Sequence, residues 1–300
     1  MTENSTRCGF VALVGAPNAG KSTLINRLVG TKVSIVTPKA QTTRARVLGI
    51  VIRGMSQLIF MDTPGIHSPR RSLERAMVDS AWRGIADTDH IVLLIDSSSI
   101  RKSDVYTIIK RLDALGHKAI LVLNKIDLVR RSALLELSAE LNSTGIFIET
   151  FMISALTGDG NEDVLNFLAG HASEGPWLYP EDQISDMPER LMAAEIAREK
   201  LFLQLHQELP YSLTVETETW EDRRDGSVKI GLVIYVRRVS QKAIVLGHGG
   251  RRIKSVGEMA RLELQTILDR RVHLFLFVKV RENWVDDRER FEPWGLRHDA

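Results

Sequence analysis

The sequence predicts a mainly parallel, doubly wound α/β domain followed by a smaller α+β module, and three observations predict it. Short apolar runs alternate with helical patterns up to about residue 171, a proline-bearing stretch breaks the alternation, and the order of elements changes beyond it. FVALVG, VLGIVIRG, QLIFMD, HIVLLID, KAILVLN and IFIETFMIS read as strands. Several are apolar almost throughout, as strands covered by helices on both faces are. Helical patterns fall near 21–29, 72–85, 102–115, 132–142 and 161–170. The stretch ASEGPWLYPEDQISDMP then carries three prolines and a glycine, which sets domains at 1–173 and 189–300 with a linker at 174–188. After it, a helix from Glu189 to Leu209 precedes two long strands, YSLTVETETWEDRR and SVKIGLVIYVRR, joined at Asp225-Gly226, a hairpin signal. A short helix from Gln241, a glycine cluster, a longer helix to Leu268 and the strand HLFLFVKV complete the module.

Composition agrees with a soluble globular protein: of 300 residues, 44% are hydrophobic and 26% charged. The single cysteine, Cys8, excludes an internal disulfide framework and fits a reducing compartment. The apolar run from Phe10 to Val14 is too short for a signal peptide, and no run approaches the roughly 18 apolar residues of a spanning helix. The expectation is a cytoplasmic protein. A net charge of +2 says little, but Arg237, Arg238, Lys242, Arg251, Arg252, Lys254 and Arg261 crowd one stretch of the C-terminal part.

Gly15-Ala16-Pro17-Asn18-Ala19-Gly20-Lys21-Ser22 fits G-x-x-x-x-G-K-[ST], directly after a predicted strand and opening a predicted helix, as a P-loop NTPase requires. Its backbone N–H groups and the helix N-terminus suit phosphates. Lys21 would reach the β- and γ-phosphates, Ser22 would bind Mg²⁺, and Thr23 follows in the same helix. Asp62-Thr63-Pro64-Gly65 ends a strand, which puts Asp62 on the metal side and the Gly65 N–H toward the γ-phosphate. Asn124-Lys125-Ile126-Asp127 ends another. There the Asp127 carboxylate can accept from guanine N1–H and N2–H₂, whereas adenine would leave it unpaired. Ser154-Ala155-Leu156 ends the next strand and can offer backbone N–H groups to guanine O6. All four segments stand where open α/β sheets bind ligands.

These residues resemble those of the translation-factor-like GTPases. Gln41-Thr42-Thr43-Arg44 is similar to switch I of bacterial GTPases of the Era type, where a threonine hydroxyl completes Mg²⁺ coordination; Thr43 is preferred to Thr42. Lys21, Thr43 and Gly65 are the residues expected to act on the transferred phosphoryl group. Ile66 stands where Ras-like proteins carry a water-orienting glutamine, and it cannot hydrogen-bond a water, so slow intrinsic hydrolysis is expected.

In the C-terminal part, Gly247-His248-Gly249-Gly250 is a G-x-x-G between two predicted helices, as in KH domains, whose loop clamps the backbone of single-stranded nucleic acid. Arg251, Arg252 and Lys254 add charge, Val245, Leu246 and Ile253 an apolar wall for bases, and His248 reads as a loop residue. The 284–294 tail, with its tryptophans, reads as packing. The whole chain resembles the bacterial Era GTPases, including Tyr179-Pro180-Glu181-Asp182-Gln183-Ile184-Ser185-Asp186, Ala194-Glu195-Ile196-Ala197-Arg198-Glu199-Lys200 and Glu208-Leu209-Pro210-Tyr211-Ser212. That resemblance implies a type II KH domain that recognises the 3′ end of 16S rRNA, action in maturation of the 30S subunit, some peripheral association with the inner membrane, and no DNA partner. Two other readings fit part of the sequence: a regulatory GTPase whose basic patch meets anionic lipid, and an RNA-binding protein whose nucleotide site does not hydrolyse.

Overall fold

The computed structural model describes residues 5–39, 42–44, 46–67, 69, 72–207 and 209–282, without the side chains of Ser72 and Leu73. Gln41, Glu208 and the 284–294 tail lie outside the described residues. Among those described, the chain up to Ser34 and from Thr43 to Asp186 forms one compact unit; Ile35–Thr42 and the chain from Met187 form a second.

The first unit alternates strands and helices. In chain order they are β1 (Arg7–Val14), α1 (Lys21–Val29), β2 (Val47–Arg53), β3 (Ser56–Asp62), α2 (Ser72–Ala86), β4 (His90–Asp96), α3 (Lys102–Ala114), β5 (Ala119–Asn124), α4 (Arg131–Asn142), β6 (Phe147–Ile153), α5 (Asn161–His171) and the short β7 (Ser173–Glu174). The sheet order is β2-β3-β1-β4-β5-β6, with β7 beside β1. β2 runs antiparallel to β3 and β7 to β1, while the other pairs are parallel. Leu93 and Leu121 at the centre of the sheet are fully buried, which is why the central strands carry no polar alternation. Register does the positioning. Leu13 pairs with Asp62, Asp96 with Asn124, and Asn124 with Ile153, so the ends of β3, β4, β5 and β6 fall along one rim of the sheet.

The predicted linker differs from the observed chain. Its residues as far as Asp186 belong to the first unit: Leu178 and Tyr179 meet Gln57 of β3, and Ile184 to Asp186 lie along β2, whose outer side has no strand neighbour in the sheet. The Ile50 N–H donates to Ile184 O (2.9 Å), and Gln57 Oε1 accepts from the N–H groups of Leu178 and Tyr179 (2.9 and 3.1 Å). A proline-bearing extended segment has backbone groups free for this, and covering an edge strand removes a template for unwanted pairing.

The second unit contains α6 (Glu189–Gln204), β8 (Leu213–Asp222), β9 (Val228–Val236), α7 (Val239–Leu246), α8 (Arg251–Ile267) and β10 (Val272–Val280). α6 stops short of the predicted Leu209 because Leu205 is extended (φ −97°, ψ 151°), ahead of a turn that begins at Pro210. The sheet order is β10-β9-β8. β8 and β9 form the antiparallel hairpin, closed by Arg223 N–H donating to Ser227 O at 2.9 Å, and β10 runs parallel to β9. α8 buries Val256, Ala260 and Leu264, one face at a four-residue spacing, among Leu201 of α6 and Ile230 and Leu232 of β9. Among the described residues, no helix is long and apolar enough to cross a membrane.

Candidate nucleotide site and nucleic-acid groove

The end of β1 turns into α1 through the P-loop. Gly20 caps α1 at φ 99°, and a Cβ there would lie 2.2 Å from Asn124 Nδ2, so only glycine fits. Lys21 is buried and donates to Gly15 O and Ala16 O, both at 3.2 Å. Burial pulls its ammonium down to about 8, with the Asp62 carboxylate acting in the opposite direction. A buried ammonium held only by carbonyls is short of negative charge, which a nucleotide's phosphates would supply.

On the neighbouring strand end, Asp62 is also fully buried. Its Oδ2 accepts from Ser22 Oγ (2.6 Å), Ser34 Oγ (2.7 Å) and Thr43 Oγ1 (3.3 Å), while Oδ1 is buried without a hydrogen-bond partner. Burial pushes the carboxyl up; Lys21 and the three hydroxyls pull it back. Ser22 Oγ and Thr43 Oγ1 are 3.0 Å apart. This all-oxygen set, with one orphaned carboxylate oxygen, has the chemistry a small hard cation such as Mg²⁺ prefers. The Thr42 hydroxyl points elsewhere, to Thr37 Oγ1 (2.6 Å) and Lys39 O (2.7 Å), so the geometry selects Thr43.

The third cluster lines a cavity of 160 Å³ between Gly20, Thr23, Lys125, Asp127, Leu128 and the Ser154-Ala155-Leu156 loop. Asn124 ties its walls together: Nδ2 donates to Ala19 O (2.8 Å), and Oδ1 accepts from the N–H groups of Lys125 (2.8 Å) and Ala155 (2.9 Å). Lys125 Nζ reaches Asp96 Oδ2 at 2.5 Å. Burial raises the Asp96 carboxyl, but the bonds from Lys125 and Ser98 outweigh it and hold it low. Asp127 is exposed at the cavity, free of the tie that occupies Asn124.

In the second unit the G-x-x-G segment joins α7 to α8. Gly247 has φ 73°, and a Cβ there would come within 2.8 Å of Arg252 Cβ. Gly249 and Gly250 also have positive φ but face open space. Beyond them a groove of 600 Å³ runs between α8 and β10, lined by Ile253, Lys254, Gly257, Glu258, Arg261 and the Leu274-Phe275-Leu276 segment. β10 is the edge of its sheet, so its outer backbone groups and Phe275, 46% exposed, face this groove or the solvent beside it.

Comparison with known proteins gives a family match in each part of the chain. The sequence matches the family described as "50S ribosome-binding GTPase" over residues 10–125 and the family described as "KH domain" over 208–285. It is 62% identical to GTPase Era of Rhizobium meliloti (strain 1021) over 97% of this chain and 93% of that protein. Identity with GTPase Era of Agrobacterium fabrum is 60%, over 97% and 92%. The chain belongs to the Era family of GTPases. Its fold is that of solved Era structures. One is a variant of Aquifex aeolicus Era bound to GDP·AlF4⁻, with 39% identity and a TM-score of 0.91 over 97% of this chain and 99% of that one. Another is Era in complex with MgGDPNP and nucleotides 1506–1542 of 16S ribosomal RNA, with 38% identity and a TM-score of 0.92 over the same shares.

For an Era-family GTPase, the structure revises several residue expectations. Thr63 does not face the phosphates; its buried hydroxyl donates to Leu13 O (2.7 Å) and joins β3 to β1. Ala155's N–H already serves Asn124, so a guanine O6 would have to share that donor or take it over. Val245, expected on the base-facing wall, is 0% exposed in the core of the second unit. α7 turns that residue inward, while Ile244 is 50% exposed. Arg252 bends back to donate to Ile244 O at the end of α7, so of the two arginines Arg251 is the exposed one. His248 is exposed, and no group of metal-ligating side chains occurs among the described residues. Sequence reasoning missed Ser34, whose partner Asp62 is 28 positions away, and Asp96 behind Lys125. It also missed the β10 side of the groove, for which no motif exists.

Proposed function

We propose that this GTPase binds Mg²⁺-GTP in the first unit, binds the 3′ region of 16S rRNA in the α8–β10 groove of the second, and acts in cytoplasmic maturation of the 30S subunit. Ser22, Thr43 and Asp62 would hold the Mg²⁺, with Ser34 orienting the carboxylate; the ion's chemistry is neutralisation of charge on the β- and γ-phosphate oxygens. Lys21 and the P-loop amides bind the phosphates, and Asp127 selects guanine. Ile66 is buried in the core and so orients no water, which leaves that task to backbone groups or to a partner and makes intrinsic turnover slow. In the groove, the N-terminus of α8 with Arg251 and Lys254 would meet phosphates, and Ile253, Leu274 and Leu276 would face bases.

The observation that carries this reading is the groove itself. An apolar floor bordered by Lys254 and Arg261, with the Glu258 carboxylate between them, on the helix that follows a glycine loop fits single-stranded RNA better than a lipid surface. Support comes from the Era relative solved with MgGDPNP and a 16S rRNA segment. The test is crosslinking of the protein to cellular RNA, with sequencing of the bound fragments in the presence of a GTP analogue or GDP. Enrichment of the 16S 3′ end is the expected result. Dispersed RNA, together with tight binding to anionic vesicles, would replace this reading with the membrane one.

A further inference from the structure

The loop between β6 and α5 closes on itself. The Thr157 N–H donates to Ser154 Oγ (3.2 Å), the Gly158 N–H to Ser154 O (2.8 Å) and the Ser154 N–H to Asp159 O (2.9 Å). Two ties reach it from other elements of the first unit. On one side the Ala155 N–H donates to Asn124 Oδ1 (2.9 Å). On the other, Arg27 in the last turn of α1 donates through Nη2 to Thr157 O (2.9 Å). Between the two tied residues lies Leu156, which with Ala155 lines the base cavity.

Arg27 lies on the surface, yet its guanidinium is fitted to the loop. A Cβ on Gly158 would stand 3.2 Å from both its Cζ and its Nε, and closer still to Nη2. Gly158 also has φ 99°, so the turn there needs glycine for its conformation and for the room it leaves the guanidinium. The other end of the tie is firm: Leu24 and Ile25 of α1 are fully buried, and the first residue of that helix, Lys21, belongs to the phosphate site. Arg27 therefore joins the helix that carries the phosphate-binding lysine to the loop that faces the base. A backbone N–H discriminates between acceptors only when it is held at a fixed point. Tied to Asn124 alone, the loop could swing about Ala155; tied at Thr157 as well, it is held on both sides.

We propose that Arg27 is a positioning residue for base recognition: by holding the Thr157 carbonyl it fixes the Ala155 and Leu156 N–H groups where guanine O6 is read. The inference rests on that segment being the O6 donor, and the test separates the two. Affinities of the full chain for GDP, 6-thio-GDP and IDP are measured for wild type, Arg27→Ala and Arg27→Lys. In 6-thio-GDP a sulfur, a weak acceptor, replaces O6 while the N1–H and N2 amine remain. IDP keeps O6 and lacks the N2 amine that Asp127 would read. Alanine and lysine suit a helix about as well as arginine, and the side chain is exposed, so both variants should fold. Wild type should prefer GDP over 6-thio-GDP by about tenfold. In Arg27→Ala that preference should shrink to about threefold, through weaker GDP binding, while the GDP-to-IDP preference stays within about twofold of wild type. Arg27→Lys, which can still donate to one carbonyl, should fall between the two. A GDP-to-6-thio-GDP preference that Arg27→Ala leaves unchanged, or an equal fall in both preferences, would overturn the proposal. Wild type binding 6-thio-GDP as tightly as GDP would instead remove the O6 reading on which it rests.

Discussion

In the first unit the functional atoms stand on short loops at strand ends and are mostly buried: Lys21, Asp62, Asn124 and Ser154 are all out of solvent, and the first three are bound to other members of the site. In the second unit the groove is a surface, formed where one face of α8 meets the edge of β10, and its lining residues are half-buried or exposed. The difference lies in what each ligand demands. A triphosphate and a purine edge need polar atoms at fixed points in a dry setting, which few residue types at fixed spacing can provide. A flexible nucleic-acid strand needs charge, an apolar floor and room, which many residues can provide. Substitutions should therefore be sharp in the first unit and graded in the second.

The largest effect belongs to the base pocket. Asp127→Asn exchanges an acceptor for a donor, so preference should swing from GTP toward XTP by about a thousandfold, read by competition between the two nucleotides. An unchanged preference for GTP would mean that another group reads the guanine edge.

Ile66 comes next and separates packing from chemistry. It belongs to the core cluster with Val78, Trp82 and Ile108. Ile66→Ala should cost about 2–4 kcal/mol of stability in denaturant unfolding while changing the hydrolysis rate at saturating GTP by less than about tenfold. A rate loss near a thousandfold in folded protein would show that this side chain shapes the water site.

The smallest effect sharpens the contrast inside the groove. Arg251 is exposed, whereas Arg252 is engaged with Ile244 O. Arg251→Ala should flatten the salt dependence of RNA affinity by about one phosphate contact. Arg252→Ala should leave that slope alone and loosen the end of α7 instead, seen as a lower melting temperature. Equal slopes for both variants would put the two guanidinium groups on the RNA together.

This contrast also explains what could be read in advance. The P-loop, Asp62, Asn124 and Asp127 were legible because each couples a residue type to a strand end, and the strands themselves were legible as apolar runs. Ser34 was not, since it reaches Asp62 only after the loop behind α1 folds back, held by Asn26 Oδ1 accepting from the N–H groups of Val33 and Ser34 (both 2.9 Å). Val245 was misassigned because proximity to a motif says nothing about which face of a short helix a residue occupies. The glycine loop was visible, but Leu274 and Leu276, which complete the groove, look in sequence like any strand core.

The most direct test of the central claim, a nucleotide site and an RNA groove in separate units of one chain, is the RNA affinity of Gly250→Asp with GTP affinity as its control. Gly250 caps α8 at φ 75° and faces open space. Aspartate tolerates that conformation and is a favoured helix cap, so the variant should fold. Its carboxylate would stand where phosphates must approach the helix N-terminus. Binding of a 16S 3′-end RNA should be lost at every salt concentration, with GTP affinity unchanged. Wild-type RNA affinity in that variant would contradict the account and reduce the glycine loop to a helix cap.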